Sequence, residues 1–312
     1  LQNKRFSTPG KVFILGEYAV LAGLPGLVAT VPPRFSLSSS QSQSFDESSD
    51  FHPESPIARL QGWAEKLRLP RLSFQFEDPL AGAGGFGAST AQFAMAYLAY
   101  SQFLEESQAR RWSSAWRLYR ELMGTEVITP SGADLVAQWQ GGVVFFDPSD
   151  RHCLDVWPLF DWSRLIVFSA TSQVGRKVAT HSHLRGLVEK GFPQGMPNLM
   201  RDLEKALIAG ISAVRENDVF ELGKSFDDYA ESLQRAGLEC AATFEDRLFL
   251  RDLSGVCGVK GAGAEQSDAV LVLLDPKASN RNSIITAAEQ RGLRLVSDGL
   301  TCEMGVTCQS GY

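Results

Sequence analysis

The stretch EDPLAGAGGFGASTAQFAMAYLAY, residues Glu77 to Tyr100, decides how this chain is read. Gly82, Gly84 and Gly87 satisfy G-x-G-x-x-G, with Gly85 as a further glycine, and Ser89 and Thr90 follow at once. A dinucleotide loop lies between a strand and a helix, with an acidic residue about 20 positions on at the end of the next strand. Glu105 and Glu106 have that spacing, but they end a continuous helical pattern and no strand intervenes. No stretch supplies the G-x-x-x-x-G-K-[ST] of a Walker loop, and the V-A-I-K, H-R-D and D-F-G elements of a protein kinase are missing. A flexible linker accounts for the glycines and not for two hydroxyl residues opening an apolar helix. A phosphate cradle accounts for both. Glycines let backbone N–H groups approach an anion, and a helix start offers unpaired N–H groups and a partial positive charge. A hydroxyl there can reach a phosphate-bound Mg²⁺.

The bulk composition narrows the function classes. The 312 residues suffice for one large domain or two of ordinary size, and 44% apolar with 21% charged residues fits a packed core. A net charge of −6 argues against a dedicated nucleic-acid binder and leaves room for a local basic pocket. No apolar run approaches the roughly 18 residues of a membrane span, so no membrane partner is expected. LQNKRFSTPGKVF lacks the apolar core of a signal peptide, and an opening Leu1 in place of Met reads as a trimmed start. The five cysteines are scattered and form no C-x-x-C, which points to reduced thiols in a cytoplasmic protein. His181 and His183 form an H-x-H without an evident third metal ligand.

Periodicity predicts a strand over Val12 to Leu15 and a second in PGLVATVPPRFSL, placed at an edge or bend by Pro32-Pro33. Ser36 to Pro56 reads as a polar loop or a long hairpin tip, and Leu72, Phe74 and Phe76 as one face of a half-buried strand. A helix buried on all sides runs from Ser89 to about Glu106, and Trp112, Trp116 and Tyr119 mark an amphipathic helix. VVFFD and Leu165 to Ala170 read as strands. Helices follow over Asn198–Asn217, Asp218–Ala236 and Leu238–Asp252. GVKGAGAEQSD reads as a glycine-bearing turn into the strand AVLVLLD, before a helix over Ser279–Arg291 and the strand LRLVS. Each half mixes strands and helices, and the division falls between 1–160 and 161–312.

Three segments carry a family likeness. STPGKVFILGEYAVLAG (Ser7 to Gly23), GAGGFGASTAQ (Gly82 to Gln92) and VKGAGAEQSDAVLVL (Val259 to Leu273) resemble the three ordered motifs of the GHMP kinase superfamily. Between the last two, PSGADLVAQWQGG (Pro130 to Gly142) looks like the mevalonate-kinase segment that bears the catalytic carboxylate. The resemblance implies an α+β fold, with an N-terminal domain like ribosomal protein S5 domain 2 and a C-terminal ferredoxin-like domain. It implies ATP at their junction, its phosphates over Gly82, Gly84, Gly85, Gly87, Ala88, Ser89 and Thr90. By the same resemblance Asp134 is the base and Lys11 its cationic neighbour, the plain alternatives being a helix cap and a surface ion pair. Glu17, Tyr18, Ser131 and Gly263 match the acceptor side, where a strand-end charge is the plain alternative for Glu17. Ser89 would hold Mg²⁺, with Thr90 as substitute. A second metal carboxylate is left open between Glu121 and Glu126.

The chain departs from the family pattern in three places. Ala88 stands where a serine is usual, and Ala264, Glu265 and Gln266 interrupt the third glycine run. GEYAV and Asp268 lean toward phosphomevalonate kinases, whereas PSGAD leans toward mevalonate kinases. The resemblance implies a cytoplasmic, Mg²⁺- and ATP-dependent kinase of the isoprenoid-precursor pathway acting on mevalonate, possible as a homodimer. Phosphomevalonate is the alternative acceptor, with Arg176, Lys177 or Arg185 as the added cations. A catalytically silent, metabolite-binding regulator is a reading of a different class.

Overall fold

The computed structural model describes residues 4–41, 51–81, 83–104, 111–124, 128–170 and 180–310. Strand β1 (Lys4–Leu15) pairs antiparallel with the long β2 (Gly26–Gln41), and both sit inside a six-stranded sheet. Strands β3 (Leu72–Glu77) and β4 (Val143–Asp147) both pair with β2, and β5 (His152–Asp155) flanks β4. The last strand, β10 (Thr307–Ser310), returns to pair with β1.

Of the edge or bend expected at Pro32-Pro33, β2 shows the bend, a register shift against β1, and not an edge position. It is central and continuous. Its first part, Gly26–Ala29, pairs with β4, and Ser36–Gln41 pairs with β3. The register to β1 jumps from Pro9↔Arg34 to Gly10↔Val31. Both prolines therefore fall where no ladder needs an N–H from them. Ser36–Gln41, expected within a polar loop or a long hairpin tip, belongs to this strand and pairs with β3.

Helices α1 (Pro56–Lys66), α2 (Ala88–Ser101), α3 (Trp112–Met123) and α4 (Ala133–Gln140) accompany the first sheet. α2 and α4 pack on β1 and β2, while α1 packs on α2 and α3. α2 buries Phe93, Met95, Tyr97 and Tyr100 on different faces, as its unbroken apolar pattern requires.

The second sheet is antiparallel with the order β7-β8-β6-β9, made of β7 (Val256–Ala262), β8 (Ala269–Leu274), β6 (Leu165–Ser169) and β9 (Arg294–Asp298). Its helices are α5 (Thr180–Glu189), α6 (Pro197–Glu216), α7 (Val219–Arg235), α8 (Ala241–Arg251) and α9 (Arg281–Gln290). β7 is a second correction, since most of it was expected to be turn. The strand is buried throughout, and a Cβ on Gly258 would collide with Gly223 of α7. Its glycines mark close helix-on-strand packing, and the turn begins only at Gly263. The expected α+β architecture, S5-domain-2-like and then ferredoxin-like, is the one observed.

Candidate active site

Lys11 and Asp134 come together from β1 and the start of α4. The Lys11 Nζ lies 3.0 Å from Asp134 Oδ2 and 5.0 Å from the centroid of the Phe13 ring. The backbone N–H of Lys11 donates to Phe86 O at 3.0 Å, which fixes the glycine loop to β1. Asp134 occupies the first turn of α4, where the helix end favours a carboxylate. The turn before it is tight. Gly132 has φ 74°, and a Cβ on it would stand 2.5 Å from the indole of Trp116. Trp116 Nε1–H donates to Ser131 O at 2.7 Å, and Ser131 Oγ accepts from the Ala133 N–H at 3.3 Å.

The glycine loop ends at α2, whose N-cap Gly87 has φ 83° and offers no side-chain cap. The first-turn N–H groups of α2 thus lack side-chain acceptors from the cap position. Ser89 is exposed on this turn. Thr90, the substitute expected for it, is 6% exposed. Its hydroxyl is buried and donates to Gln138 Oε1 at 2.6 Å. Gln138 in turn donates to Pro9 O at 3.0 Å and to Gly87 O at 3.1 Å. One buried amide therefore joins β1, the glycine loop and α4. Gly82 lies outside the described residues. Gly84 and Gly85 pack against Asp268, as does Gly263, and a Cβ on any of the three would collide with it. Burial pushes the Asp268 carboxyl up, while the Lys11 charge and the Ala264 N–H pull it down.

A cavity of about 720 Å³ opens beside the pair. Its lining brings Lys11, Asp134, Ser89 and Thr90 together with Glu17, Tyr18, Ser131 and Gly263. Gly84, Gly85, Gly87 and Ala88 stay outside that lining. Glu17 is not the solubilising strand-end charge that its position also allowed. It is 6% exposed, and its Oε1 pairs with the fully buried Lys260 and accepts from Gln266 Nε2 at 2.8 Å. Burial pulls Lys260 down, and Glu17 opposes that pull. The Tyr18 hydroxyl meets His183 Nε2 at 3.0 Å and accepts from the Glu265 N–H at 2.8 Å.

No protein-family model matches the chain, and no curated protein matches it by sequence. Solved structures do. *Lactococcus lactis* galactokinase complexed with galactose aligns with a TM-score of 0.74 at 10% identity, over 98% of this chain and 95% of that one. *Streptococcus pneumoniae* phosphomevalonate kinase, in complex with phosphomevalonate and AMPPNP, aligns at 0.73 and 14%, over 94% and 98%. *Methanococcus jannaschii* mevalonate kinase aligns at 0.68 and 12%, over 99% and 98%. The chain has the GHMP kinase fold.

On this GHMP kinase fold the arrangement can hold an anion at the α2 start and present a carboxylate, backed by a buried ammonium, to a group in the cavity. Among the described residues no three His, Cys, Asp or Glu side chains gather as a metal cluster. His183 is engaged by Tyr18 and Glu265, and the side chain of His181 lies outside the described residues. Glu121 is exposed and does not line the cavity, whereas Arg185 does. Glu126, Arg176 and Lys177 lie outside the described residues. Among the described residues no helix is long and apolar enough to cross a membrane. In the sequence Trp116 reads as a helix-face residue and His183 as half of an H-x-H, while Gln138 and Lys260 have no assigned role. Of the last two only Gln138 carries a signal, as an amide within an apolar run one helical turn after Asp134.

Proposed function

We propose that this chain is an ATP-dependent small-molecule kinase that phosphorylates a hydroxyl of mevalonate. The carrying observation is the 3.0 Å Lys11–Asp134 pair, facing one cavity together with Ser89 at the start of α2. Asp134 takes the proton of the acceptor hydroxyl as its oxygen bonds to the γ-phosphorus. The bond from that phosphorus to the β–γ bridging oxygen breaks, and ADP leaves. Lys11 pairs with Asp134 and offsets negative charge on the transferring group. The free helix start and the exposed Ser89 hydroxyl suit a polyphosphate with its Mg²⁺, and Ser89 would hold the ion. Mg²⁺-ATP, when bound, supplies the phosphoryl group. A division into a nucleotide-binding half at 1–160 and a second half at 161–312 belongs to the same proposal.

Phosphomevalonate is the second reading, favoured by Arg185 on the cavity wall, a cation suited to an added phosphate. An ADP-release assay with Mg²⁺-ATP and mevalonate, phosphomevalonate or galactose tests the proposal. Turnover with one of the first two is expected. ADP at background with all three, alongside tight binding of one, would replace the kinase by a metabolite-binding regulator.

A further inference from the structure

Three non-glycine residues beside the cavity have positive φ: Tyr18 at 66°, Glu265 at 51° and Gln266 at 58°. Such conformations are unfavourable for residues with a Cβ and persist where the surroundings enforce them. The enforcing contacts form a chain. Tyr18 meets His183 Nε2 at 3.0 Å, His183 Nδ1 meets Glu265 Oε1 at 3.1 Å, and the Glu265 N–H returns to the Tyr18 oxygen at 2.8 Å. The Tyr18 ring also stands edge-on to His183 and Phe192, with centroids 5.8 and 6.4 Å away. Burial holds His183 below its ordinary value despite the Glu265 charge, so the imidazole is neutral near pH 7. Nδ1–H then donates to Glu265, and Nε2 accepts from a Tyr18 phenol that burial keeps protonated. Tyr18 thus lines the cavity while its hydroxyl bonds to His183 and Glu265.

These bonds tie together the exit of β1, helix α5 and the turn after Gly263. α5 contributes Leu184 and Arg185 to the cavity, and Gly263 abuts Asp268 and so the glycine loop. We propose that His183 is a positioning residue which, through Tyr18 and Glu265, fixes α5 as the acceptor wall of the cavity against the third glycine turn. It touches no reacting atom, and it sets acceptor affinity and leaves the transfer step alone. The statement about the acceptor rests on the kinase reading. The statement about α5 does not.

Hydrogen exchange of the α5 amides from 183 to 189, in the intact protein without ligand, tests the wall directly. His183→Ala and Glu265→Ala are expected to speed that exchange by about tenfold or more while α6 and α7 keep their protection. Unchanged α5 exchange in both variants overturns the proposal. His183→Gln, which can still donate and accept, is expected to restore part of the protection and serves if the alanine variant does not fold. In the ADP-release assay, with mevalonate or phosphomevalonate as probe, His183→Ala should raise the acceptor KM about tenfold and leave kcat and the ATP KM within about threefold. Equal losses in kcat and the ATP KM would overturn the positioning role. If the wild type releases no ADP with any probe, the kinase reading fails, and the exchange experiment still decides the role of His183.

Discussion

Lys11 and Asp134 form an unequal pair. Their charged atoms are 3.0 Å apart, yet the lysine side chain is 8% exposed and the aspartate 29%. Both line the cavity, with the ammonium nearly buried and the carboxylate the more exposed of the two. Lys11→Met is therefore expected to lower kcat by about 10²-fold or more through loss of charge stabilisation. The pair is open on one side, so the cost to stability should stay near 1 kcal/mol. Steady-state kinetics and urea denaturation of the same preparation check both parts.

Gln138 uses both ends of its amide, toward Thr90, Pro9 and Gly87. Gln138→Leu removes the donor to Pro9 O and one acceptor of the Thr90 hydroxyl, while Gly87 O keeps the Ala91 N–H and the Thr90 hydroxyl, and it is expected to destabilise the protein by about 1–3 kcal/mol. A loss under about 0.5 kcal/mol in urea denaturation would show that the amide does not hold the three segments together.

Lys260 and Glu17 form a pair closed off from solvent. Lys260→Met strands a buried carboxylate and should cost about 3–5 kcal/mol, most of it recovered by adding Glu17→Gln. Thermal and urea unfolding of the single and double variants measure the recovery, and additive losses would contradict the account.

Asp268 makes stability depend on pH. Burial raises its carboxyl in the folded protein, against Lys11 and the Ala264 N–H. A carboxyl raised on folding favours the native state most when protonated. That contribution is complete below the ordinary value near 3.9 and is lost as pH rises through the folded value. Asp268→Asn keeps an acceptor for Ala264 and removes the charge. It is expected to melt higher than the wild type at pH 7, with the gap closing on acidification toward about pH 4. A gap that stays constant with pH would mean that the charge is not its cause.

Much of this architecture was legible in the sequence. Helices α6, α7 and α8 follow from apolar periodicity, and Lys11, the glycine loop and the PSGAD turn announce themselves in short contiguous motifs. The misreadings share a physical origin in long-range contact. Gly258 reads as turn until Gly223 is seen against it, and Pro32-Pro33 reads as a break until β3 and β4 are seen to divide β2 between them. Short polar β5 and β10 exist only through their partners, β4 and β1. Gln138, His183 and Lys260 are polar residues whose burial depends on segments far away in the chain, and local patterning carries little trace of that.

The most direct test of the central claim is the kcat of Asp134→Asn in the ADP-release assay with Mg²⁺-ATP and mevalonate or phosphomevalonate. The account predicts wild-type turnover and a loss of about 10³-fold in the variant, with AMPPNP affinity kept within about threefold. An Asp134→Asn enzyme that retains the wild-type kcat would contradict it.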